Sequence, residues 1–308
     1  HFTDGGSVTL DEQFKYAGNE GGVEEIVFDD GTIWDHNDLA EQALADASTD
    51  GDDDIDGFDD RVDHIEGGLG NDTINGDGGS DIYTYNLGDG ADVITETLNN
   101  GSLDQLILGA GILASEVSVT HSSSDGDDVT LHFTDGGSVT LDEQYKYAGN
   151  QGGIEEIVFD DGTIWDHSEV AVQYITGAST DGSDIIDGFD DIEDVITAGL
   201  GDDTVNGDGG SDTYLYNLGD GADVVTETLN NGAQDKLILG SGILAPQVTV
   251  THSSSDRDDV TLHFSGGGSV TLDEQFKYTG NQGGVEEVVF NDGTVWYHDD
   301  LAIQALSA

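Results

Sequence analysis

The sequence predicts an all-β protein in which stretches of parallel β-solenoid, wound from very short strands, alternate with strand-rich segments that cap or continue the winding. Three observations predict it. The chain repeats itself at a fixed interval, one half of each repeat spaces acidic and apolar residues about nine apart among glycines, and the other half alternates apolar and polar residues with period two.

The repeat sets the layout. "HFTDGGSVTLDEQFKYAGN" begins at His1, "HFTDGGSVTLDEQYKYAGN" at His132 and "HFSGGGSVTLDEQFKYTGN" at His263, a period of 131 residues (132 − 1 and 263 − 132). Trp34, Trp165 and Trp296 keep this period without a gap, as do Lys15, Lys146 and Lys277. His1 falls inside a strand pattern, "VTLHFTDGGSVTL", seen whole at 129–141, so the unit is read as starting at Ser48 ("STDGDDDIDGF") and Ser179 ("STDGSDIIDGF"). The expected organisation is a strand-rich tail (1–47), a full unit (48–178) and a second unit (179–308). Within the units, solenoid is expected over about 48–95 and 179–226, and strand-rich segments over about 96–178 and 227–308. A chain that opens mid-strand, closes in phase with its own tail and contains no Met is expected to be a window on a longer tandem array.

In the Gly-rich half, Asp recurs at Asp53, Asp63, Asp72, Asp81 and Asp92, and in the second copy at Asp184, Asp194, Asp203, Asp212 and Asp223. Two places after each stands an apolar residue: Ile55, Ile65, Ile74, Tyr83 and Ile94, then Ile186, Ile196, Val205, Tyr214 and Val225. Three residues around the apolar side chain suffice for one strand with one inward residue. The six before it must turn the chain, and Gly supplies the positive φ and close backbone approach that the turn needs. Two nines make one coil, so residues eighteen apart, such as Ile65 and Tyr83, stack in a column. Such a turn aims backbone carbonyls into the space that the Asp carboxylate enters. The candidates are those of Gly67, Gly68, Leu69, Gly70, Gly76, Asp77, Gly78 and Gly79, and of Gly199, Leu200, Gly201, Gly207, Asp208, Gly209 and Gly210. An all-oxygen cage of six to eight ligands on a flexible loop suits Ca2+ better than the smaller, stricter magnesium. The ten Asp of the ladder are the candidate carboxylate ligands, with several ions shared between stacked turns.

The other half reads as strands, "DQLILG", "SEVSVTH", "DDVTLHFT", "GSVTLDEQ" and "EEIVFDDGTIW", broken by Asp-Gly or Gly-Gly as in hairpins or solenoid corners. "WDHNDLAEQALADAS" is the one helical pattern, with Asp35 or Asn37 able to cap it.

Composition bounds the function. With 66 acidic and 6 basic residues the net charge is −60, which repels nucleic acid phosphates and anionic membranes and strains a compact fold that holds no cations. The absence of Cys excludes disulfides and thiolate metal sites, and no apolar run is long enough for a membrane span. Asp52, Asp54, Asp56, Gly57 and Asp63 fit an EF-hand loop by position, but Ser183 and Ile185 replace the first two in the sister unit and no amphipathic helix flanks either loop. No acidic pair, Glu155 and Glu156 included, is singled out once per chain, and no nucleophile elbow or phosphate loop occurs, so no enzyme activity is expected. All His except His64 fall in periodic sets and are read as exposed strand and turn residues. Aromatics in "FKYAGN" and "TIWDH" allow a sugar-binding surface, since a repeated exposed Trp can stack on a sugar; the competing reading is core.

"GGLGNDTIN" (67–75) resembles the nonapeptide G-G-x-G-x-D-x-U-x of the repeats-in-toxin (RTX) family, and "GDGGSDIYT" (76–84), "AGLGDDTVN" (198–206) and "GDGGSDTYL" (207–215) are close to it. "YNLGDGADVI" (85–94) and "YNLGDGADVV" (216–225) are longer, looser copies, while "STDGDDDID" and "GFDDRVDHIE" lack the leading glycines. The strand-rich half, with "DGGSVTL" and "EEIVFDDGTIW", resembles the haemolysin-type calcium-binding-related segment. The resemblance implies a calcium-loaded parallel β-roll in a secreted or surface-attached bacterial protein, exported by type I secretion and folded by calcium outside the cell. The role expected is that of a structural segment of an adhesin, matrix or filament scaffold. The alternatives are the folding and secretion module of an exported enzyme or toxin, or a carbohydrate-binding module. The partners expected are calcium, neighbouring repeat units, and on the alternative readings glycans or further copies of the chain.

Overall fold

The structure, a computed structural model, describes residues 6–11, 13–14, 22–59, 61–96, 103–122, 126–146, 152–190, 192–227, 234–253, 258–277 and 284–306. His1, Lys15 and most of the first "FKYAGN" lie outside them. The chain forms two compact units, one of residues 1–117 and 128–167, the other of 118–127 and 168–308. It is mostly β, with parallel and mixed sheets and few helices.

In the first unit successive short strands alternate between two sheets. Asp54–Asp56, Thr73–Asn75, Ala91–Thr95 and Ser138–Asp142 pair in parallel in one, with Val129–His132 antiparallel beyond the last. His64–Glu66, Ile82–Tyr85, Gln105–Leu108 and Glu156–Val158 pair in parallel in the other, closed by the antiparallel Ile164–Asp166. The second unit repeats this from Ile185–Asp187 to Val295–Tyr297.

The register explains the spacing of the apolar residues. Ile55, Ile74, Ile94 and Leu141 are partners along the first sheet, and Ile65, Tyr83, Leu106 and Ile157 along the second. None of these eight is more than 3% exposed. The second unit has the same two rows, Ile186, Val205, Val225 and Leu272 beside Ile196, Tyr214, Leu237 and Val288, and they belong to one hydrophobic cluster. Each strand of two to five residues thus sends few side chains inward, and the core between the strands is thin.

The helical pattern folds as His36–Ala47 and recurs as His167–Ala178 and His298–Ala305. Asp35, not Asn37, is the cap: its carboxylate accepts the N–H groups of Asn37 and Asp38 at 2.8 and 3.0 Å, while Asp38 accepts the N–H of Asp35 at 2.9 Å. Reciprocal satisfaction of first-turn donors starts this helix, and Ala40 and Leu44 are its buried face.

One alternative gives way and one expectation is corrected. Trp165 and Trp296 are buried at 4% and 8% exposure, each edge-on to a Phe (Phe159, Phe290), so they serve the core rather than a sugar platform. His167 is not an exposed turn residue but buried, its ring against Gln144 Nε2, and burial lowers its pKa to about 4. In both cases period-two alternation places the ring on the inner face of a short strand or at the helix start behind it.

Candidate metal centre

Each unit carries two columns of carboxylates, one per parallel sheet, built by the turn that precedes each strand. In the first column the N–H of Asp53 donates to Asp72 Oδ1 (2.9 Å) and the N–H of Asp72 to Asp92 Oδ1 (3.1 Å). In the second, Asp63 donates to Asp81 Oδ1 (2.8 Å), Asp81 to Asp104 Oδ1 (2.6 Å) and Asp104 to Glu155 Oε2 (2.6 Å). The second unit repeats both, Asp184 to Asp203 to Asp223, and Asp194 to Asp212 to Asp235 to Glu286. The nine-residue sequence step becomes a spatial step of about two nines, because alternate strands lie in different sheets.

One oxygen of each inner carboxylate is therefore engaged by a neighbouring N–H. In four of them the other is left over: Asp72 Oδ2, Asp81 Oδ2, Asp203 Oδ2 and Asp212 Oδ2 are buried with no hydrogen-bond partner. Leaving a buried neutral polar group unsatisfied costs roughly 1–3 kcal/mol, and a charged one more. Asp53 and Asp184, at the column starts, are only half-buried and spend an oxygen on the N–H of Thr49 (2.6 Å) and Thr180 (2.7 Å).

The glycines make the space. A Cβ on Gly76 would collide with the Tyr83 hydroxyl and crowd Glu96 and Asp81, and a Cβ on Gly90 would strike the carbonyl of Gly70, which it joins in a parallel bridge. Gly68, Gly70 and Asp77, and their copies Gly199, Gly201 and Asp208, hold positive φ. Of the candidate carbonyls, that of Gly67 already accepts the Ser48 hydroxyl (2.9 Å) and that of Gly78 the Arg61 N–H (3.3 Å). The Gly76 carbonyl faces the turn at Gly57 beside Asp63.

Six carboxylates that the nine-residue reading missed belong to these columns. Asp104 and Glu155, with copies Asp235 and Glu286, extend the second column, and Glu96 and Glu227 reach into it. Asp104 stands two before the buried Leu106 and Glu155 two before Ile157, which is the rule of the ladder, but longer intervening segments hide it. Glu96 follows Ile94 and carries no such signal.

Electrostatics mark the second column. Burial, followed by the charge of Asp104, raises Glu96 to about 9, with the Tyr83 hydrogen bond opposing. Asp81 is raised by burial to about 7 and Asp212 to about 8, against the N–H groups that their columns donate. In the first column Asp92 and Asp223 rise only to about 6, again by burial. Around Asp63 the first unit supplies its own cation: Arg61 Nε lies 2.6 Å from Asp63 Oδ1, while the second unit has Ile192 at that place.

An all-oxygen, buried donor set with left-over carboxylate oxygens fits a hard divalent ion such as calcium, whose ligands lie at about 2.3–2.6 Å. Three segments, 2–38, 128–169 and 259–300, match the family described as haemolysin-type calcium binding protein related domain. They fall within the strand-rich parts, so the Gly-rich stretches that hold Asp72, Asp81, Asp203 and Asp212 lie between them. Comparison with curated protein sequences finds no match. Among solved structures, the extracellular lipase LipA of Serratia marcescens is similar at 19% identity over 73% of this chain and 36% of the lipase, with a TM-score of 0.23. The chain thus spans about a third of the length of that lipase. Among the described residues no helix is long and apolar enough to cross a membrane.

Proposed function

We propose that the chain is a calcium-binding structural repeat segment of a larger secreted or cell-surface bacterial protein of the RTX type, with parallel β-rolls over about 48–95 and 179–226 and unit boundaries at Ser48 and Ser179. The observation that carries this reading is the pair of carboxylate columns in each unit, in which Asp72 and Asp81, with their copies Asp203 and Asp212, have one oxygen held by backbone and the other buried with no hydrogen-bond partner. Calcium, when bound, supplies the positive charge that these oxygens lack.

What the chain's own residues do follows from their placement. The backbone N–H of each column residue fixes the carboxylate of the next, so a ligand set is complete only when neighbouring turns are stacked. Folding and ion binding are then one coupled process, with stability growing with calcium concentration. Extracellular modules bind calcium at about 10⁻⁴–10⁻³ M, above cytosolic levels, which keeps such a chain unfolded until it leaves the cell. The role in this reading is that of a scaffold in an adhesin, matrix or filament, and no catalytic step is assigned to it.

Calcium bound per chain, counted by equilibrium dialysis beside the far-UV signal, tests the proposal. Several ions bound cooperatively with the gain of strand signal are expected. A folded chain that binds none would refute it.

A further inference from the structure

Glu96 is the one carboxylate of the centre that no periodicity demands. It stands just past the strand Ala91–Thr95 of the first sheet, yet its side chain joins the second column. There it meets Asp81, from the turn before Ile82–Tyr85, and Asp104, from the residue before Gln105–Leu108. One ligand atom from each lies within 4.8 Å of the others, and the exposures are 0% for Asp81, 1% for Glu96 and 0% for Asp104. Asp212, Glu227 and Asp235 repeat the cluster in the second unit, at 0%, 3% and 0%.

We propose that each of these clusters is a distinct calcium site that locks the Gly-rich coil to the strand-rich segment following it. The inference rests on the calcium-binding reading and adds a ligand from outside the nonapeptide register. Its second support, beyond the clustering of acids, is the buried oxygens without a hydrogen-bond partner on its members, Asp81 Oδ2 with Glu96 Oε2 and Asp212 Oδ2 with Glu227 Oε2; Asp81 Oδ2 lies at the same Gly76 position as the Glu96 carboxylate. The Tyr83 hydroxyl donates to Glu96 Oε1, and Tyr214 to Glu227 Oε1, which turns the carboxylate and leaves its second oxygen for an ion. Gly76 and Gly207 leave room beside it, since a Cβ at either would collide with that Tyr hydroxyl. The charges that act on Glu96 come from Asp104, Asp81 and Glu155, all acidic. Three like charges this close in a buried place repel one another strongly, so the cluster needs protons or a divalent cation. Glu155, from the strand-rich segment, in turn accepts the Asp104 N–H at 2.6 Å, so filling this site fixes the entry of that segment onto the coil.

The test compares the full chain with a Glu96→Gln, Glu227→Gln variant by equilibrium dialysis against calcium. The site predicts one ion fewer per unit and a strand-rich segment that folds at higher calcium than the coil, seen as two phases in place of one. An unchanged ion count with an unchanged single transition overturns it. A wild-type chain that binds no calcium at all would instead remove the functional reading beneath it. Should the Gln variant not fold, Tyr83→Phe with Tyr214→Phe keeps every carboxylate. Terbium in place of calcium is then expected to lose most of its tyrosine-sensitised luminescence, and calcium affinity at the site to fall about 10–100-fold, as for other groups that orient a ligand. Luminescence and affinity equal to wild type would overturn the assignment.

Discussion

In the first column the place after Asp92 is taken by Val139, its partner across the parallel ladder and fully buried. In the second column the place after Asp104 is taken by Glu155, which accepts the Asp104 N–H and donates its own N–H to the Asp104 carbonyl at 3.1 Å. Val270 after Asp223 and Glu286 after Asp235 repeat the contrast. The sheets continue past both points with the same apolar rows, so strand pairing does not require the carboxylate. Where the column ends, an apolar side chain fills its place; where it goes on, a further acid enters, half-buried at Glu155 and buried at Glu286, at a cost that a cation or a proton offsets. The second column, joined by Glu96, is therefore where ion binding and strand packing are tied most tightly.

The largest effect is expected from breaking the inner positions of both columns. Asp72→Ala with Asp81→Ala should cost roughly 5 kcal/mol or more of calcium-dependent stability, over three decades in the calcium midpoint. Asp63→Ala, beside its own Arg61, should cost much less. Equal midpoints for the two variants in a calcium titration would contradict the ranking.

Next in size is a change that makes the first column resemble the second. Val139→Asp buries a carboxylate beyond Asp92 and should destabilise the chain by about 3 kcal/mol, with part of the loss recovered as calcium is raised. Urea unfolding at two calcium concentrations measures this, and a loss independent of calcium would mean that the column does not propagate ion binding.

The pH response of the calcium-free chain separates the columns further. Asp92 at about 6, Asp81 at about 7 and Glu96 at about 9 all lie above the unfolded values near 4. The folded state thus holds more protons than the unfolded between those limits, and stability falls as pH rises through about 4 to 9. In EDTA the strand signal should grow as pH is lowered from 8 to 5, while calcium affinity at pH 5 is weakened by competing protons. A calcium-free chain more folded at pH 8 than at pH 5 would be the opposite of this expectation.

The smallest effect concerns the cation built into one unit. Arg61→Ile gives the first unit the residue that the second carries as Ile192. It should destabilise the calcium-free chain and tighten calcium binding near Asp63 by up to about tenfold, read by calorimetry. Weaker binding in the variant would show that the guanidinium supports the ion site rather than competing with it.

Much of this was legible in the residues. Asp followed two places later by an apolar residue located the strands, the paired rows and the inner column acids, because a three-residue strand has room for one inward side chain. The capping box at Asp35 was equally local. Asp104 and Glu155 obey the same rule as Asp81, but segments of variable length separate them from the nine-residue beat, and register across such segments is fixed only by the sheet. Glu96 was illegible for another reason: it crosses from the end of an interior strand of one sheet to the other sheet's column, a relation between strands that spacing along the chain does not carry. For Trp165 the residues left surface and core both open, because alternation gives the face of a short strand but not which face is covered; the fold decides for the core.

The central claim, that calcium completes the core of this fold, is tested most directly by following far-UV strand signal and bound calcium together through one titration of the EDTA-stripped chain. The account predicts that both rise over the same calcium range and that EDTA reverses both. A strand signal already complete in EDTA, unchanged as calcium is added, would contradict it.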